Sequence, residues 1–236
     1  MKSLVLIPAL LTTSLVAGQA SALEFGGANF EITYTATEDF ASSQELIAGS
    51  AEISFGGPIG LQLDVVNTSY EGFADSGAFG FGGHIVYEVS PTVVLGAYFF
   101  TEDWTGDTWN SYGVEGIFET GKITYEIAVG AYQEAGDTAY FNFNAIATYH
   151  ASDRFDVIAG ALVSYWGDFG DAADIYNDFN IGARFTFDSG LYVSGAYNIL
   201  AYDGSSDGSV SLGLGFDFGG GVTFSRRAYA SLYPGD

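Results

Sequence analysis

The chain has 236 residues, no cysteine, and a formal net charge of −23 from 29 acidic against 6 basic residues. That balance argues against a nucleic-acid partner, whose phosphates require Lys and Arg, and the missing cysteine rules out disulfides as the source of stability. With 48% hydrophobic residues, 33 glycines and only 15% charged residues, the chain is not a disordered polyanion either.

Residues 1–22 read MKSLVLIPALLTTSLVAGQASA. Lys2 supplies a positive start, Leu4 to Leu11 an apolar core, and Ala20-Ser21-Ala22 an A-x-A cleavage site. This is the pattern of a secretory signal peptide, and its removal is expected to leave 23–236. Beyond it no stretch supplies the ~20 consecutive apolar residues of a membrane helix. What recurs is alternation of apolar and polar residues with a period of two, the mark of β-strands with one face of each kind.

In chain order the alternation predicts twelve strands, at about 24–36, 45–56, 59–70, 78–89, 92–101, 110–120, 122–133, 138–150, 154–166, 175–187, 190–202 and 209–224. One phase runs Phe30, Ile32, Tyr34, then Leu61, Leu63, Val65, then Phe79, Phe81, Ile85. The other runs Glu31, Thr33, Thr35, then Gln62, Asp64, then His84. The strand at 92–101 is ambiguous because Val94, Tyr98 and Phe100 make both of its faces apolar. Tight turns follow the even-numbered strands at Gly56-Gly57-Pro58, Ser90-Pro91, Thr120-Gly121, Ala151-Ser152-Asp153 and Asp188-Ser189-Gly190. Longer acidic loops are expected after the odd-numbered strands, near 37–44, 71–77, 102–109, 134–137, 167–174 and 203–208.

Strand length and charge placement decide which face meets water. Strands of about 10–13 residues exceed the ~5–6 usual in soluble proteins and match the ~9–11 that cross a bilayer at a tilt. The apolar phase carries no clear charge, and Lys122 is the only lysine after Lys2. Aromatic residues such as Phe25, Phe55, Tyr87, Tyr112, Phe155, Phe187 and Tyr197 fall near strand ends, as interfacial girdles require. The expected fold class is therefore all-β: a transmembrane, up-and-down antiparallel β-barrel of about twelve strands, with short periplasmic turns and acidic extracellular loops. The barrel is assigned to 23–224 and a C-terminal tail to 225–236.

On these hairpins the chain after residue 22 resembles a Gram-negative outer-membrane β-barrel, and its acidic, glycine-rich hairpins resemble small porin-like proteins of alphaproteobacteria. The resemblance is architectural and rests on no diagnostic motif. It implies an outer-membrane location, contact with lipid and lipopolysaccharide, and insertion by the barrel-assembly machinery; it leaves the oligomeric state open. Barrels of this kind commonly end on an aromatic residue, and Leu212, Leu214, Phe216, Phe218, Val222 and Phe224 share one phase, so the last strand is expected to reach Phe224. The remaining SRRAYASLYPGD departs from that pattern.

No enzyme is indicated. His84 and His150 both lie on the polar phase and no G-x-S-x-G occurs. No cofactor is implied. The loop carboxylates Asp168, Asp171 and Asp174 recur every third residue, unlike an EF-hand, yet could hold Ca²⁺ or Mg²⁺ weakly; the plainer reading is a solvated acidic rim. The candidate pore lining is Glu31, Glu52, Asp64, Glu88, Glu115, Glu119, Glu126 and Asp156 against a single basic residue, Arg184. Such a passage would favour small cations and neutral solutes. Inward Gly and Ser argue for space; Tyr98, Tyr132, Tyr140, Leu162, Trp166 and Tyr192 argue for a plug. The alternative is a non-conducting structural or surface-interaction barrel.

Overall fold

The computed structural model describes residues 23–71, 77–104, 106–134, 139–165, 175–202 and 204–228. Residues 1–22, Trp166 and the carboxylates Asp168, Asp171 and Asp174 lie outside them. Twelve strands follow one another: β1 (Glu24–Thr37), β2 (Ser43–Ser54), β3 (Ile59–Glu71), β4 (Gly77–Ser90), β5 (Val93–Trp104), β6 (Asp107–Thr120), β7 (Ile123–Glu134), β8 (Tyr140–Ser152), β9 (Phe155–Tyr165), β10 (Ile175–Thr186), β11 (Leu191–Tyr202) and β12 (Ser205–Phe218). Each pairs antiparallel with its chain neighbours, and β12 pairs with β1 from Ala28↔Phe218 to Thr37↔Ser209, closing the barrel. Closure leaves no strand edge unpaired, which a sheet surrounded by hydrocarbon requires.

The strict alternation of β12, SVSLGLGFDF, divides its side chains between two environments. Val210, Leu212, Leu214 and Phe218 are exposed on the outside, while Ser209 and Ser211 are buried within. The same division holds around the wall: Phe30, Leu63, Phe81, Val114, Phe143 and Ile181 face out, whereas Gln62, Asp64, His84, Asn142 and Asn198 are buried inside. An apolar surface this extensive suits acyl chains, with polar groups enclosed. Phe25, Phe55, Tyr87, Phe155 and Phe187 ring the end that carries the short turns. Tyr112 and Tyr197 sit farther along their strands, and the Tyr197 hydroxyl reaches Glu38 in the 38–42 loop. In that loop Asp39 accepts hydrogen bonds from the Ala41 amide and the Thr37 hydroxyl, which together hold its carboxyl below the usual carboxylate range.

Three expectations are corrected. The 102–109 and 203–208 segments are not long loops: β5 runs to Trp104 and β6 begins at Asp107, while β11 runs to Tyr202 and β12 begins at Ser205. Glu102 consequently lies on a strand and is buried. The last strand does not reach Phe224. It ends at Phe218, because Gly219, Gly220 and Gly221 all take positive φ angles (65°, 102° and 87°) that an extended strand cannot contain.

Inward glycines, finally, do not mark empty space. The ambiguous strand β5 sends Leu95 and Phe99 outward and Tyr98 and Phe100 inward. A Cβ added at Gly80 or Gly82 would meet the Phe100 ring, and one at Gly113 or Gly130 the Tyr98 hydroxyl. Glycine is needed there so that large rings can lie against the wall. Gly82→Ala is therefore expected to cost about 1–3 kcal/mol, as overpacking does, read as a lower urea midpoint for the folded barrel.

Candidate functional site

After Gly221 the chain does not leave the barrel. Residues 222–228 enter the lumen at the short-turn end and climb along the β2–β7 flank. The wall receives this segment atom by atom. Glu52 accepts the Thr223 amide (2.9 Å), Gln62 accepts the Phe224 amide (2.9 Å) and donates to its carbonyl (2.8 Å), Glu126 accepts the Ser225 amide (3.0 Å), and Ser111 donates to the Arg227 carbonyl (2.7 Å). Side chains thus stand in for the ladder partners that the segment lacks. Phe224 packs with Val86 and Ile117 and stacks on the His84 ring at 5.7 Å; Ala228 packs with Leu46, Ala48, Val66 and Phe100.

The charges of the segment meet the charges of the wall. Arg227, only 1% exposed, binds Glu115 through Nε (2.9 Å), Glu126 through Nη2 and the Asn144 carbonyl oxygen through Nη1 (3.2 Å). Its guanidinium lies 5.7 Å from the centre of the Tyr98 ring. Arg226 binds Glu31, Asn29 (3.0 Å) and Ser50 (2.9 Å). His84 has a carboxylate at each ring nitrogen, Asp64 at 2.7 Å and Glu115 on the other side. An imidazole ring that donates at both nitrogens is the charged form, so the arrangement suits an imidazolium.

The expected pore-lining residues therefore separate into groups. Asp64 and Glu115 are buried against the segment, with Glu126 beside them; Glu31 and Glu52 hold it at its margins. Asp156 accepts from His150 Nδ1 (2.8 Å) near the short turns. Arg184 pairs with Asp217 and lies 3.6 Å from the centre of the Tyr192 ring. Glu88 and Glu119 are exposed at the short-turn end. The reading that set eight acids against Arg184 alone is corrected: Arg226 and Arg227, which the sequence places in a tail, lie within the lumen. Nothing in the local pattern of SRRAYA pointed there; its partners are 83 to 197 residues away.

The segment does not fill the barrel. A cavity of about 630 Å³ runs along the opposite flank, from His150 and Asp217 near the short turns to Gln44, Leu162 and Asp178 toward the other end. Its walls carry Glu31, Glu126, Asp156, Asp178 and Asp217 against Arg184, Arg226 and Arg227. Tyr98, Tyr132, Leu162 and Tyr192 are buried lumenal side chains, as a partial plug requires.

No known protein family matches the chain, and no curated protein matches it. Among solved structures it is similar to the NanC porin (10% identity, TM-score 0.65, covering 79% of this chain and 98% of that one). It is also similar to an outer membrane channel from Pseudomonas putida (11%, 0.61, 87% and 100%) and to the KdgM porin in complex with disordered oligogalacturonate (8%, 0.60, 84% and 99%). The fold is that of a twelve-stranded porin-like barrel. At these identities the likeness extends to the fold.

Proposed function

We propose that the chain is a porin-like channel of the Gram-negative outer membrane, exported by a cleaved signal peptide, through which small cations and neutral polar solutes diffuse passively. The observation that carries this reading is the polar cavity of about 630 Å³ inside a closed barrel whose outer surface is apolar. The similar solved structures being porins and channels supports it further. Lipid and lipopolysaccharide are the surroundings the outer surface suits, and the short turns are assigned to the periplasmic side.

Cation preference follows from the lining, where five carboxylates face three guanidiniums. The excess is smaller than the sequence alone suggested, so the preference is expected to be mild. The polyanion in the KdgM complex is not carried over as a substrate: Arg184, Arg226 and Arg227 each already hold a carboxylate. A second reading, a non-conducting barrel with a structural or surface-binding role, draws on the segment that occupies part of the lumen. Weak Ca²⁺ or Mg²⁺ binding at Asp168, Asp171 and Asp174 belongs to that reading.

Planar-bilayer recording of the purified barrel tests the two. Discrete conductance steps and a reversal potential of cation sign in a KCl gradient are expected. Silence from protein with heat-modifiable gel mobility would favour the structural barrel, and anion selectivity would overturn the charge argument.

A further inference from the structure

We propose that Val222–Ala228 is a built-in liner that sets both the bore and the charge preference of the passage, a role that rests on the channel reading above. Three independent features of the wall point to it. Four of the inward positions under the segment are apolar where a wet lumen would be polar: Val66, Val86, Phe100 and Ile117 are buried, and Phe224 and Ala228 cover them. Without the segment that surface would face water in the lumen, which is unfavourable in proportion to the apolar area exposed.

The second feature is backbone pairing. Glu52, Gln62, Ser111 and Glu126 meet successive amides and carbonyls of residues 223–227. Withdrawal would orphan all of them together, so the segment is a fixed part of the wall and not a swinging gate. The third is charge. The wall presents Glu31, Asp64, Glu115 and Glu126, and the segment returns Arg226 and Arg227, with His84 between Asp64 and Glu115. Take the segment away and the lumen becomes wider and strongly acidic at once. The open part of the lumen is thereby confined to a cavity lined chiefly by β8–β12 and β1.

The test uses three proteins beside the full chain. The first ends after Gly221, which retains β12 and the turn beyond it. The second is Arg226→Gln, which removes one charge and leaves the volume. The third is Ala228→Cys, the sole thiol in a cysteine-free chain. In single-channel recordings the truncated barrel is expected to conduct about twofold more or better, since bore governs conductance, and its reversal potential should move toward that of a pure cation channel. Arg226→Gln should shift selectivity the same way with conductance little changed. The Ala228→Cys thiol should resist a bulky maleimide in the folded barrel and react once urea unfolds it.

A silent full chain beside a conducting truncated barrel would make the segment a plug and not a liner, and would overturn the proposal together with the channel reading of the full chain. Equal conductance and selectivity in the two, or fast labelling of the folded Ala228→Cys barrel, would overturn it. If both fold and neither conducts, the channel reading itself falls, while thiol protection still reports where the segment sits. Should the truncated chain fail to fold, unchanged selectivity in Arg226→Gln overturns the proposal alone.

Discussion

Arg227→Met is expected to destabilise the barrel by about 3–5 kcal/mol, the usual cost of removing one partner from a buried ion pair. The methionine keeps most of the volume, so the loss is electrostatic. Glu115 and Glu126 are left beside Phe224 and Ser225 with their main cation gone, and Asn144 loses a donor. Glu115 cannot turn to water, because the rest of the segment still covers it, and Glu126 meets the cavity only at its edge; both are largely buried. The physical contrast is with truncation after Gly221, which removes Arg227 but admits water to the same acids and is expected to cost less. Urea titration of the two variants against the unaltered barrel, followed by heat-modifiable mobility, measures the order. Truncation proving the more damaging would mean that apolar packing of Phe224 and Ala228 outweighs the ion pairs.

Leu212→Arg is the second large effect, at about 2–4 kcal/mol, because Leu212 lies midway along β12 on the outer face, where a cation would sit near the bilayer midplane. Leu191→Arg, at the first residue of β11 beside a short turn, should cost only ~0–1 kcal/mol, since the side chain reaches the interface. The pair is informative because Leu212 is 63% exposed. On a protein surrounded by water, a substitution at so exposed a site changes stability by no more than about 0.5 kcal/mol in either direction. Refolding into lipid vesicles over a urea series measures both. Equal, small effects at the two positions would remove the lipid from the outer face and with it the transmembrane barrel.

Most of the barrel was legible because a strand's two faces are written into neighbouring residues. Phe79, Phe81 and Ile85 against Ala78, His84 and Val86 announce one strand with two sides, and most strands, though not the one at 92–101, repeat the statement. Its limits follow from the same locality. Val222 and Phe224 continue the phase of Phe216 and Phe218, so period two alone extends β12 past its end, although Gly219-Gly220-Gly221 interrupts it. The glycines of β4 read as room in the lumen because the Phe100 ring that occupies it belongs to β5.

The candidate site was legible in part. Glu31, Asp64, Glu115 and Glu126 were assigned inward from alternation, and their inward placement follows from it. What they face was not readable. A carboxylate on an inward phase looks like a pore residue until its partner is known, and Arg226 stands 195 residues from Glu31.

The sequence by itself determined the alternating strands, their approximate number and the apolar and polar faces of nearly all of them, because each follows from side chains one or two residues apart. Only the tertiary structure decided that residues 222–228 turn back into the lumen, that rings fill the glycine positions, and that the acids of the wall are met by Arg226 and Arg227. Those are pairings between distant segments, set by complementary shape and charge once the barrel has closed, and no local period encodes them.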